Sequence, residues 1–162
     1  MSNFPELLSA SKFYMELSLD GSSEETDAVF LECQGFQKTQ QAVELVEVTP
    51  EQWGQSNHGR LVTTKLPGRM VIDNIILRRG MTNSMTFWRW LSEVESGKWA
   101  TQLKEGSLTI YDQGGNAQAR FNFANAWPVR YKVADVSAQS TEIEIEEVEI
   151  AVTDLARTEP GR

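Results

Sequence analysis

Histidine and cysteine are scarce in this sequence. Of 162 residues one is histidine, His58, and one is cysteine, Cys33. Neither a histidine-rich metal site nor a Ser-His-Asp relay with spare candidates can be assembled, and no intramolecular disulfide can form. A lone thiol suits a reducing cytoplasm, and Cys33 reads as a small buried hydrophobe in a strand. A glycine-rich phosphate loop is also missing: Gly114-Gly115 is followed by a strand pattern, not by a helix whose N-terminus could hold phosphate. Basic residues are few, 15 Lys and Arg against 23 Asp and Glu, for a net charge of −8. That balance argues against a nucleic-acid-binding surface as the main function, although an acidic chain can line a conduit past which DNA or an effector slides without sticking. No apolar run approaches twenty residues and the amino terminus carries no basic leader, so cytoplasmic synthesis and assembly are expected, without signal peptide or membrane insertion. No catalytic residue, metal or cofactor is expected. The many neighbouring acids carry little information in so acidic a chain.

What is present is patterning. The length fits one domain over residues 1–162, enough to bury about 70% of the unfolded surface. The central stretch 108–131 organises the rest. Leu108 and Ile110, then Ala117, Ala119, Phe121 and Phe123, alternate with Gln118, Arg120 and Asn122, the period of a half-buried strand. Gly114, Gly115 and Asn116 supply the reversal of a hairpin, and Trp127 before Pro128 keeps the exit extended. A hairpin alone is marginal in water, so its apolar side requires cover.

The remaining segments read in order. Residues 1–11 form a loose arm, and 12–19 a strand with Phe13, Met15 and Leu17 on one side. Residues 28–33 and 40–48 follow as strands. Residues 49–63, with Pro50, Gly54, Asn57 and Gly59, read as a long loop or irregular hairpin tip, and connections of that length are usually functional or disordered. Residues 70–79 form a strand apolar on both faces. Residues 85–95 form the helix, with Phe87, Leu91 and Val94 at helical spacing, an N-cap in 82–84, and an aromatic stripe read as core packing. The last strand, 141–152, changes apolar parity at Glu146-Glu147, which implies a β-bulge, and 155–162 form a tail. The expected fold class is mainly β, an antiparallel barrel or sandwich of about seven or eight strands with one packed α-helix.

Several segments together resemble a known family. Leu66-Pro67-Gly68, then Ile76-Leu77-Arg78-Arg79-Gly80, then Phe87-Trp88-Arg89-Trp90-Leu91, then Asn125-Ala126-Trp127-Pro128-Val129 with Tyr131, and a closing glutamate-rich strand stand in the order found in tail-tube proteins of contractile phage tails and related injection systems. The similarity runs from about residue 12 to residue 157. It implies a structural subunit of rings, usually hexameric, that stack into a hollow tube for effector or DNA inside a contractile sheath, with baseplate and terminator or cap proteins at its ends. In that family the extension corresponding to 49–63 reaches neighbouring subunits within and between rings.

Candidate residues follow. Trp53, with Gln52, Gln55 and His58, is placed at a subunit contact, because a tryptophan in a polar loop is either tucked back or an anchor in a partner's pocket. Arg78 and Arg79, and also Arg120, are placed opposite acids across an interface. Glu142, Glu144, Glu146, Glu147 and Glu149 form an acidic face toward a lumen or a neighbour; the plainer alternative is a solvated strand face guarding a sheet edge. Three other readings stay open: a baseplate or tube-initiating adaptor of the same machine, a monomeric β-barrel holding a small ligand, and an enzyme using scattered carboxylates.

Overall fold

In the computed structural model, which describes residues 8–11, 13–18, 30–52, 54–55 and 59–160, the chain forms β1 Phe13–Ser18, β2 Phe30–Gln34, β3 Lys38–Gln52, β4 Gly59–Ile72, β5 Ile75–Gly80, α1 Thr86–Glu93, β6 Lys104–Tyr111, β7 Ala117–Val133, β8 Ile145–Ala151 and β9 Asp154–Thr158. Length predicts one domain; the chain divides into two compact units, a body of Met1–Phe36 with Ile72–Arg162 and a hairpin unit of Gln37–Val71. The body is mainly β and antiparallel, as expected, and it is a sandwich: among the described residues no sheet closes on itself.

The long strand β7 ties the body together. Its first half pairs with β6 on one edge and β9 on the other; its second half, from Trp127, pairs with β8. The crossover lies at Asn125, whose φ of 54° makes it the one positive-φ residue other than glycine among the described residues. Asparagine tolerates that region better than other side chains. Two four-stranded arrays result, β1-β6-β7-β9 and β2-β5-β8-β7. Met15, Leu17, Leu108, Phe123 and Leu155 from the first array join Phe30, Ile75, Leu77, Val148 and Ile150 from the second in one core. Each such side chain, fully buried, contributes about 1.5–3 kcal/mol.

The β6–β7 hairpin follows its alternation, with Leu108, Ala119 and Phe123 buried. Asp112 holds the turn: its Oδ1 accepts the Asn116 N–H at 2.8 Å, and Gly115 turns with φ 83°. Helix α1 buries Phe87 and Trp90, and the Trp90 Nε1–H donates to the Gln102 carbonyl at 2.8 Å. Its stripe is only partly core, since Trp88 remains half exposed and stacks edge-on against Tyr131. Met85 takes the N-cap position without a side-chain cap, and after Glu93 the helix widens and turns through Gly97.

Four expectations change. Residues 49–63 belong to a hairpin, one of the two readings, but are mostly strand and not loop: β3 runs to Gln52 and β4 starts at Gly59, because backbone pairing between the two strands absorbs the polar residues. The expected strand over 70–79 is interrupted at Asp73-Asn74, between β4 and β5. The tail over 155–162 supplies β9, whose Leu155 is buried. The final strand starts at Ile145 and pairs with β5 without a shift, so there is no bulge at Glu146-Glu147; the register shift lies in β7 between Pro128 and Arg130.

Gly35 fixes the approach of β2 to the β4–β5 break. Its φ is +88°, and a Cβ there would stand 2.0 Å from the Asn74 carbonyl oxygen. Gly35→Ala is expected to destabilise by about 1–3 kcal/mol through φ alone, with the clash added. An unchanged melting temperature would contradict this packing.

Candidate functional site

The array β2-β5-β8-β7 has a covered face, an open face and two open edges. Inward positions Phe30, Leu77, Arg79, Glu146, Val148 and Tyr131 join the core or lie beneath α1, where the Phe87 ring sits 6.1 Å from Phe30 and 4.1 Å from the Arg79 guanidinium. Opposite them, on the open face, lie Glu32, Arg78, Glu147, Glu149, Arg130 and Lys132. Among the described residues no strand pairs with the far edge of β2 or with the far edge of Trp127–Val133. Unpaired edges are templates for another strand.

On the open face the charges form a ladder. The Arg78 Nε donates to Glu147 Oε2 at 2.7 Å and its Nη1 to Glu32 Oε2 at 2.7 Å; Arg130 donates to Glu147 at 3.1 Å and to Glu149 at 2.9 Å. The Asn74 amide donates to Glu149 at 2.8 Å. The bond to Arg78 and then that from Gln34 hold Glu32 below the usual carboxylate range, and Asn74 followed by the Arg130 charge does the same for Glu149. Glu147 and Glu32 in turn raise Arg78.

On the covered face one charge pair is buried. Arg79 is 2% exposed and Glu146 2%, and the Arg79 Nε donates to Glu146 Oε1. The Tyr131 hydroxyl donates to Glu146 Oε2 at 2.6 Å; burial, then that bond, pushes its pKa up to about 12. This arrangement explains the parity break at Glu146-Glu147: the strand never changes face, and Glu146 occupies a core position because Arg79 meets it there. Arg78 lies opposite Glu147 and Arg79 opposite Glu146, so one dipeptide step is charge-matched on both faces of the sheet. A one-residue slip would break both matches, since it turns every side chain over.

The hairpin unit is different. Gln40 donates to the Gly68 carbonyl near one end and Thr49 to the Arg60 carbonyl at 3.2 Å near the other, so the strands run antiparallel. Val43 (52%), Leu45 (42%), Val46 (58%) and Val48 (68%) are exposed at both parities of β3, and Leu61 (67%) and Met70 (48%) are exposed on β4. The unit carries four basic and three acidic residues, a net +1 in a chain of −8.

Of the residues singled out from sequence, Trp53 and His58 lie outside the described residues, as does the Gln52 side chain; Gln55 is exposed in the turn between β3 and β4. Arg78 and Arg79 meet acids of their own chain, and Arg79 is buried there. Arg120 lies 3.8 Å from Glu16, away from the glutamate strand. The five glutamates are not one face: Glu142 is exposed before the strand and Glu144 half-buried, Glu146 points inward, and only Glu147 and Glu149 share the open face, in a central strand and not an edge. Arg130, Lys132 and Glu32 were not singled out, although Arg130 and Lys132 alternate on β7, and Tyr131 entered only through the family resemblance. Burial raises the Cys33 thiol to about 12, which makes it a poor nucleophile.

The fold has solved counterparts. A chain in the cryo-EM structure of the anti-feeding prophage (AFP) baseplate superposes with a TM-score of 0.76 at 15% identity, over 98% of this chain and 100% of that one. A chain of an extracellular contractile injection system, the PVC sheath-tube complex in its extended state, gives 0.74 at 17% identity, over 98% and 94%. The Hcp1 protein from E. coli EAEC 042 gives 0.53 at 10% identity, over 94% of each. No curated protein matches. The family described as T4-like virus tail tube protein gp19 matches residues 9–156, nearly the whole chain. The chain belongs to the T4-like virus tail tube protein gp19 family.

Proposed function

We propose that this protein is the repeating inner-tube subunit of a contractile injection system or contractile phage tail, assembled in the cytoplasm as stacked hexameric rings. The observation that carries this reading is the hairpin unit, which exposes apolar side chains on both faces. A two-stranded ribbon is marginal in water, and one with two apolar faces needs two covering surfaces. Copies in the same ring and in the next ring supply them. The +1 charge of the ribbon against −9 for the rest of the chain favours its seating on another copy.

Ring closure follows from the open edges. The four strands β2-β5-β8-β7 alternate in direction, so the far edge of β7 in one copy can meet β2 of the next and remain antiparallel all the way round. The wall then has no free edge. Six copies give a continuous barrel with the charge ladder toward the bore and α1 toward the surrounding sheath, the baseplate and the terminating cap being the partners at the ends. Obligate contacts of this kind bury roughly 2,000 Å² or more. The subunit does no catalysis; closure makes the wall stiff, and the stroke that drives the tube comes from the sheath. Effector or DNA passes through the bore. Trp53, Gln52, Gln55 and His58 are the residues assigned to contact with the neighbouring copy.

Deleting residues 52–58 and rejoining β3 to β4 is expected to leave a folded chain that forms no tubes in negative-stain micrographs. Tubes of normal length after that deletion would discard the assignment. Growth of the intact protein only to single rings would make it the adaptor that starts a tube.

A further inference from the structure

The open face of β2-β5-β8-β7 is neutral in a strongly acidic chain. Register places three acids, Glu32, Glu147 and Glu149, and three bases, Arg78, Arg130 and Lys132, on it, against −8 for the whole protein. The two acids that β8 places there lie deeper than the arginines. The Glu147 and Glu149 side chains are 11% and 21% exposed, whereas Arg78 and Arg130 are 36% and 50% exposed. The Glu147 and Glu149 carboxylates lie low against the sheet with the guanidinium planes spread above them, Glu32 is as open as the arginines at 45%, and each guanidinium has its charge offset by two acids at 2.7–3.1 Å. A surface of closely paired charges projects little potential past the Debye length, about 10 Å at 0.1 M salt.

We propose that this face is a charge-compensated bore wall that retains neither a polyanion nor a polycation, and that Arg78 and Arg130 set that neutrality. The proposal rests on the tube reading above, which turns this face inward. A conduit gains from such a wall: a charged cargo meets no field strong enough to hold it along many stacked rings, and no like-charge barrier at the entrance. An acidic wall, by contrast, would repel DNA and hold basic proteins. The arginines thus determine what can pass, without themselves being a binding site for it.

The test is cryo-EM of assembled tubes incubated at 0.1 M salt with a short oligolysine or a short single-stranded oligonucleotide. Wild-type tubes are expected to show no added density against the Arg78 and Arg130 face with either polymer. Arg78→Gln/Arg130→Gln, which keeps hydrogen-bond donors and leaves a net −2 per chain on the face, is expected to gain oligolysine density there that disappears at 1 M salt. Glu147→Gln/Glu149→Gln, at a net +2, is expected to gain oligonucleotide density. Either polymer on the wild-type face, or variants with no gain, overturns the proposal. Should the variants not assemble, the two wild-type maps decide alone. A reconstruction in which this face does not line the bore overturns the tube-wall assignment instead, and the maps then still report whether the face, wherever it lies, retains a polyion.

Discussion

Arg79→Met is expected to destabilise the folded protein by about 3–5 kcal/mol, the range for removing one partner of a buried ion pair. Glu146 is 2% exposed, so the substitution leaves a carboxylate in the core without its counter-charge, hydrogen-bonded to the Tyr131 hydroxyl 2.6 Å away. The contact of the guanidinium with the Phe87 ring, 4.1 Å away, is lost as well, and with it part of the seat of α1. For a chain of this size a change of that magnitude lowers the melting temperature by roughly 6–20 °C. The triple replacement Arg79→Met, Glu146→Leu, Tyr131→Phe is expected to recover most of the loss. Apolar side chains of similar volume then fill the site and no charge is stranded. Urea unfolding of the single and triple variants checks both statements. If the triple variant is as unstable as the single, the cost comes from packing and not from the stranded charge.

The second large effect concerns assembly and leaves folding alone. Val48 and Leu61 are 68% and 67% exposed on the two strands of the hairpin unit, so Val48→Glu with Leu61→Glu removes no buried contact from the single chain. Surface changes of that kind usually stay within about 0.5 kcal/mol. In the tube we propose, the same positions are covered by neighbouring copies. Each substitution then forfeits about 1.5–3 kcal/mol of apolar burial and places a carboxylate where water has been excluded. Loss of about 3 kcal/mol per contact corresponds to a rise of more than 100-fold in the protein concentration needed to form tubes, since about 1.4 kcal/mol is tenfold. Sedimentation across a concentration series, with a thermal melt alongside, measures the two effects separately. Normal tubes in the double variant would remove the hairpin from the interface.

What was legible in the sequence was whatever local pattern dictates. The β6–β7 hairpin was readable because two alternating runs flank Gly114-Gly115-Asn116, and the structure adds only the Asp112 side chain that ties the turn. Helix α1 was readable from Phe87, Leu91 and Val94, although Trp90 and not Leu91 proved the second buried residue. Residues 49–63 were readable as a hairpin but not as strand, because Pro50, Gly54 and Gly59 signal a loop, while the strands there are held by each other's backbone and need no alternation of their own. The glutamate strand misled for a different reason. Its partners Arg79 and Arg78 lie 67 and 69 residues away, a separation at which no pattern within the strand announces them. A charge at a core position looks like a change of face until its counter-charge is located. Tail residues became β9 because the edge of β7 opposite β6 was free to take a strand. The family resemblance was carried by short segments, and three of them, around Arg78-Arg79, Phe87-Trp90 and Trp127-Tyr131, converge on the array that we propose as the tube wall.

The wall itself is open to one direct measurement, a helical cryo-EM reconstruction of tubes grown from the purified protein. Backbone hydrogen bonds from the Trp127–Val133 half of β7 in one copy to β2 of the next, with Arg130 facing the bore and Trp88 facing outward, are the predicted result. Rings joined without strand continuity between β7 and β2, or with α1 lining the bore, would contradict it.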